Sequence, residues 1–289
     1  MEDLLRPIYQ ERASDSNTLG VLLIEKTRPN SPITDNFDVI LLIIVEKSDI
    51  QWHVKHYEFD DKTAAMHIVT NELLRKWIDT SGYRKAIAWL TYGKVIFDRN
   101  EYIADFKEQI RDFPHDKRNL RKAIEFGKLV KSYSEVKDLY ESSQYKDAYS
   151  RIVNSLHYLA RLAVIEKGYH PEVTVWNQVR QIDPEVYKLY DELIQSNEEL
   201  DKRVQLMILA TDFVISNRAR VSAKHLLDVL KEKDESWSYG ELKDHPLVEP
   251  YALDLTAMLA YLVEKGIVQT ERLRTKGTGV YQRKYRMEE

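Results

Sequence analysis

The chain has 289 residues, 43 basic and 47 acidic side chains, a net charge of −4, 43% hydrophobic residues and no cysteine. Its length exceeds the usual single domain and predicts two or three, while its apolar content excludes global disorder. The missing cysteines exclude disulfides and thiolate metal sites, and the charge balance confines any phosphate contact to a local basic patch. The longest apolar run, Val39 to Val45, is far shorter than the roughly 20 residues of a membrane-spanning helix. The opening Met1-Glu2-Asp3 has neither the basic stretch nor the apolar segment of a signal peptide, so the sequence predicts a cytoplasmic protein with no membrane partner.

From Thr18 to about Pro114 the apolar residues come in short β-rich runs: Leu19 to Glu25, Val39 to Glu46, the alternating Trp52, Val54, His56 and Glu58, then Met66 to Val69 and Val95 to Phe97. Breakers follow the first two, at Arg28-Pro29-Asn30-Ser31-Pro32 and Lys47-Ser48-Asp49. Asn71 to Asp79 reads as a helix capped by Asn71, with Leu73, Leu74, Trp77 and Ile78 on one face. His53 and His56 fall on opposite strand faces, the wrong arrangement for a shared metal.

From Asp116 the period becomes helical, and the spacing predicts helices at 119–140, 144–167, 183–196 and 198–216. Asp183-Pro184 is a cap followed by a first-turn proline. Beyond Arg218 the chain reads helix, short helix, helix, hairpin. Ser222, Ser238 and Asp254 are the expected caps, Gly266 the stop, and Gly277-Thr278-Gly279 the turn between two strands. Three helices and a hairpin resemble a winged helix-turn-helix. Arg272, Arg274, Lys276, Arg283, Lys284 and Arg286 crowd the wing and are its candidate DNA- or RNA-binding residues. The third helix offers Thr256, Ala257, Tyr261, Glu264 and Lys265, with no arginine for guanine edges, so direct base readout should be poor.

One motif points to chemistry. Asp35-Asn36-Phe37-Asp38 leads straight into the apolar run that begins at Val39, and carboxylates at a strand mouth can hold Mg²⁺ with phosphate oxygens. With the strand Leu19 to Ile24 before it, this resembles the nucleotidyltransferase superfamily of DNA polymerase β and the antibiotic nucleotidyltransferases. The family places Gly-Ser after the first strand, Asp-x-Asp opening the second, and a third acid on a later strand. Here Glu25-Lys26 stands at the Gly-Ser position and Asn36-Phe37-Asp38 at the acid pair; a register shifted by two makes Asp38 the first acid and Ile40 the second. His67 occupies the expected third position, with Glu58 a weaker substitute. The resemblance implies Asp38, Asn36 and His67 as catalytic positions and Asp38 as metal ligand. It also implies Lys26 and Arg28 as phosphate contacts, and Mg²⁺ with an NTP as cofactor. Asp98, ending its strand, is expected to be a turn residue.

The fold expected is α+β: a nucleotidyltransferase-like sheet domain over 1–115, a helical bundle over 116–217 and a winged helix over 218–289. Two functions follow. In one the protein transfers NMP from NTP to a small molecule or protein. In the other the acid site is defunct, the first domain is a sensor or scaffold, and the wing binds nucleic acid or packs. Arg151 and His157, six apart, weakly resemble the pair of certain helical ribonucleases.

Overall fold

A computed structural model of the chain describes residues 2–27, 31–59 and 61–287. It divides into two compact units, Met1–Pro114 and His115–Glu289. Among the described residues no helix is long and apolar enough to cross a membrane.

The first unit runs α1 (Glu2–Ser14), β1 (Thr18–Glu25), β2 (Val39–Val45), β3 (Trp52–Phe59), β4 (Lys62–Thr70), α2 (Asn71–Thr80), α3 (Lys85–Tyr92), β5 (Lys94–Asp98) and α4 (Tyr102–Asp112). The sheet order is β3-β4-β2-β1-β5. β2 and β4 are parallel and the other pairs antiparallel. Every residue of β2 is buried, which is why its sequence does not alternate. Leu5 and Tyr9 of α1 share a core with Val39, Leu41 and Ile43. On the other face, Leu74, Trp77, Trp89 and Phe106 of α2, α3 and α4 pack with Ile40, Leu42 and Ile44.

Asn71 does not cap α2. Thr70, still extended, accepts from the Leu73 N–H at 3.3 Å, while the Asn71 side chain receives Arg75 Nε and the Tyr102 hydroxyl, both at 2.8 Å. Asp98 is still the last residue of β5 rather than part of the turn that follows, and its carboxylate accepts from the N–H groups of Ile103 and Ala104 at the start of α4.

The second unit runs α5 (His115–Glu141), α6 (Tyr145–Glu166), α7 (Val175–Ile182), α8 (Pro184–Gln195), α9 (Leu200–Ser222), α10 (Lys224–Leu230), β6 (Trp237–Ser238), α11 (Tyr239–Lys243), α12 (Leu255–Glu264), β7 (Val268–Arg274) and β8 (Tyr281–Met287). One core joins bundle residues such as Leu129, Leu156 and Val204 to Leu226, Leu255 and Leu262 further along. Within it Glu125 of α5 and Arg161 of α6, each almost wholly buried, form an ion pair at 3.0 Å.

Asp183 caps α8 through the Val186 N–H and also receives Arg218 at 2.8 Å. Ser238 forms a reciprocal capping box with Glu241. Ser222 is no cap. With no breaker after Ser216, α9 runs on to Ser222, whose hydroxyl donates to Glu166 at 3.3 Å, and Arg218 bonds Glu166 as well. The expected boundary at 217/218 thus lies inside α9. Asp254 precedes α12 without a side-chain cap bond and instead pairs with Lys131 of α5 at 3.3 Å. A Cβ on Gly127 of α5 would stand 2.9 Å from Met258 Sδ and 3.1 Å from Asp254 Cβ, so glycine is what allows α12 to lie so close against α5.

Candidate functional site

The mouth of the first sheet is a row of residues across four strands. Asp38 extends β2 by one residue: its N–H donates to Thr63 O at 3.0 Å and its carbonyl accepts from the Lys26 N–H at 2.9 Å. Glu58 of β3 lies in register with Thr63. The row therefore reads Glu58, Thr63, Asp38, Lys26. Asp38 Oδ2 accepts both the Thr63 N–H at 2.9 Å and the Thr63 hydroxyl at 3.2 Å. The Thr63 N–H is the main reason this carboxyl is held below the ordinary carboxylate range, with Lys26 and Lys62 adding to it.

The other expected members of the site are elsewhere. Asn36 is not on the strand: it takes a left-handed conformation with φ 68°, and its side-chain oxygen accepts from the Ser31 N–H at 3.2 Å. Asn36 and Asp38 thus do not share a strand face as the spacing suggested. Lys26 donates to Asn36 O at 3.1 Å, and Arg28 lies outside the described residues. His67 pairs in register with Leu42, four residues deeper than Asp38, or roughly 13 Å along the strand. The positions beside Asp38 and Ile40 on β4 are Thr63 and Ala65. Glu58, not His67, is the acid aligned with Asp38.

His67 belongs to an aromatic cluster under α2 and α3. Its Nδ1 accepts from Trp52 Nε1 at 3.1 Å, and its ring lies 4.7 Å from that of Trp89. Burial is the largest influence on it and lowers its pKa to about 4, so the ring is neutral near pH 7. Trp77 and Tyr83 complete the cluster at ring distances of 4.7 to 5.2 Å. Burial, with Asp35 nearby, pushes Tyr83 up to about 12. The loop before β2 is fastened over this cluster: Trp89 Nε1 donates to Ile33 O at 2.8 Å, and Asp35 forms an ion pair with Lys85 of α3. No sequence spacing announced Tyr83, Lys85 or Trp89 as neighbours of the motif.

These residues do not fit a two-metal centre. Such a centre needs carboxylates that bridge ions about 4 Å apart. Here Asp38 has one oxygen engaged by Thr63, Ile40 and Ala65 are buried apolar residues, and Glu58 stands two strands away. Among the described residues, no three His, Asp or Glu side chains gather where an ion could be held.

The wing separates its cations by face. Arg272 lies directly opposite Arg283, and Arg274 opposite Tyr281, on the face whose base is the buried Val268. On the other face Glu271 pairs with Arg286 at 3.0 Å and lies opposite Lys284. Lys276 is exposed at the tip, where Gly279 takes φ 77°. A like-charged pair across two strands costs stability. The third helix, α12, turns Leu255, Met258, Leu259 and Leu262 inward and leaves mainly Thr256, Ala260 and Glu264 exposed.

In the bundle, Arg151 and His157 diverge. Arg151 pairs with Glu135 at 3.0 Å, and His157 Nε2 accepts from Trp176 Nε1 at 3.3 Å.

The comparisons with known proteins follow the same three-part order. A nucleotidyltransferase-like family model matches residues 1–118, a YgxA-like substrate binding domain 119–218 and a helix-turn-helix domain 224–287. The fold thus defines a nucleotidyltransferase-like protein with an attached substrate-binding domain and helix-turn-helix. YgxA of Bacillus subtilis (strain 168) is 48% identical over 285 residues, covering 99% of this chain and 97% of its own. The crystal structure of a nucleotidyltransferase-like protein from Exiguobacterium sibiricum 255-15 matches with a TM-score of 0.82 and 36% identity, over 99% of both chains. The chain belongs to the YgxA-like family of nucleotidyltransferase-like proteins.

Proposed function

We propose that this chain is a non-catalytic member of its class, in which the N-terminal domain is a scaffold or ligand sensor and the wing contacts nucleic-acid phosphates. The observation that carries the reading is the make-up of the strand mouth: Asp38 is tied to Thr63, Ile40 and the Ala65 beside it on β4 are buried and apolar, and His67 lies four residues deeper. The Arg272–Arg283 juxtaposition supports the wing's role, because the repulsion is relieved when phosphate oxygens lie between the two guanidiniums. With α12 packed on α5, the contact falls to the wing and carries little sequence preference.

Two titrations test the two halves. Calorimetry with ATP, CTP, GTP and UTP and Mg²⁺ or Mn²⁺ is expected to show no metal-dependent binding. Asn36→Asp should create none, since that residue is turned away from the strand mouth. Metal-dependent binding that disappears in Asp38→Asn or Glu58→Gln would restore the transferase reading, with Mg²⁺·NTP as its cofactor. For the wing, affinity for generic duplex DNA should fall with salt at a log–log slope of about −3 to −4, from Arg272, Arg274, Lys276 and Arg283. Changing Arg272, Arg274, Lys276 and Arg283 to Ala should flatten the slope and weaken all sequences alike. No affinity at low ionic strength would leave the wing a packing element.

A further inference from the structure

The hairpin of β7 and β8 carries different chemistry on its two faces. On one, the strand register sets Arg272 directly across from Arg283 and Arg274 across from Tyr281, so that down β8 the side chains alternate Tyr281, Arg283, Tyr285. Opposite, diagonal and next-but-one positions on a sheet face lie about 5 to 8 Å apart, which gives Tyr281 three guanidiniums as neighbours. Arg272, Arg274, Tyr281 and Arg283 are all exposed, and among the described residues none of the three arginines pairs with an acid. The other face is compensated: Glu271, the single acid between Val268 and Met287, lies there and pairs with Arg286 at 3.0 Å.

The two tyrosines of this face differ in what they touch. Tyr285 is half-buried, with Arg283 over its ring at 5.5 Å. Tyr281 is 46% exposed, and among the described residues its ring meets no other ring and no cation. An open aromatic ring set among unpaired arginines matches a planar base flanked by phosphates: the base offers a π face to the ring, and each phosphate takes a guanidinium. In a duplex both faces of every base are covered by its neighbours in the stack, so the ring is useful only to an unpaired base. The helix that precedes the wing fits the same partner, because the exposed positions of α12 are mainly Thr256, Ala260 and Glu264 and bring no arginine to a duplex groove. We propose that this face of the wing is a platform for single-stranded nucleic acid, on which Tyr281 stacks an unpaired base while Arg272, Arg274 and Arg283 hold the adjoining phosphates. This rests on the reading that the wing contacts nucleic-acid phosphates, and it adds the strandedness of the partner.

Fluorescence anisotropy on the full chain tests this with end-labelled strands that differ only in their bases: oligo-dT and oligo-U, each against an abasic strand of the same length and charge. The base-bearing strand should bind about 10-fold more tightly than the abasic one. Tyr281→Ala should erase that difference and Tyr281→Phe should keep it, neither moving the circular-dichroism melt, because the ring is exposed. Tyr281→Ala should also leave affinity for a duplex unchanged, while Arg272→Ala with Arg283→Ala weakens base-bearing strand, abasic strand and duplex alike. Base dependence in either sugar series supports the proposal, and the tighter series tells whether the partner is RNA or DNA. Equal binding of base-bearing and abasic strands in both series overturns it while leaving the phosphate contact standing; no affinity for any of these probes removes both. A duplex weakened by Tyr281→Ala as much as the single strand overturns it too, as does displacement of the strand by polyglutamate of equal charge as readily as by unlabelled strand.

Discussion

Arg161→Met is expected to destabilise the helical unit by about 3–5 kcal/mol, because it leaves a buried carboxylate without its partner. Glu125 is 1% exposed and bonded to Arg161 Nε at 3.0 Å. Burial alone would raise its pKa; Arg161, with Lys128 and Arg121, brings it below the ordinary range instead. In the native chain this depressed group contributes stability above its unfolded pKa of about 4.3, and the contribution is lost as pH falls through the folded value. Removing the guanidinium reverses the sign. Burial then raises Glu125, and the deficit of the variant should be largest near neutral pH and shrink on acidification toward pH 5. Urea unfolding at the two pH values measures this, and a deficit independent of pH would mean that lost packing over Tyr158, not charge, is responsible. Replacing both partners, Glu125→Leu with Arg161→Met, should recover most of the loss.

Trp89→Ala should cost the sheet unit a comparable 3–5 kcal/mol, the usual range for emptying a large aromatic site. Trp89 is fully buried, holds Ile33 O through its indole N–H, and packs on His67 and Tyr83. Trp89→Phe keeps most of the volume but loses the hydrogen bond to Ile33 O and part of the ring packing, so a smaller loss of about 1–3 kcal/mol is expected. His67 is the reporter. Its folded pKa of about 4 lies below the unfolded value of about 6.5, so the native chain loses stability as pH falls from 6.5 toward 4. With Trp89 gone and water admitted, NMR titration should find His67 moving back toward 6.5. An unmoved His67 would mean that Trp52, which donates to Nδ1, is what keeps the ring neutral.

The α+β organisation was legible because periodicity survives without tertiary information. The buried run of β2, the helical stripes of α6 and α8, and the capping signals at Asp183 and Ser238 each announced their element locally. What failed to show was set by distant partners. Thr70 outcompeted Asn71 because Arg75 and Tyr102 claim the asparagine oxygen. α9 outran its expected end because Arg218 and Ser222 are anchored on Glu166. At the candidate site, the spacing Asn36-Phe37-Asp38 suggested a strand pair. The left-handed φ of Asp35 and Asn36 turns that stretch into a loop, and only the strand register shows that Glu58 and Thr63 accompany Asp38.

The tight seat of α12 on α5 also decides what can be cut from this protein. The boundary suggested by residues 119–218 and 224–287 follows ancestry, while the core ignores it: Leu255, Met258 and Leu262 share one apolar interior with Phe126, Leu129 and Val130. A fragment starting near residue 218 would sever the last turn of α9 and bare the side of α12 that Gly127 admits. The wing is therefore not a portable part. To graft its arginines onto another protein, the helices beneath them must travel too.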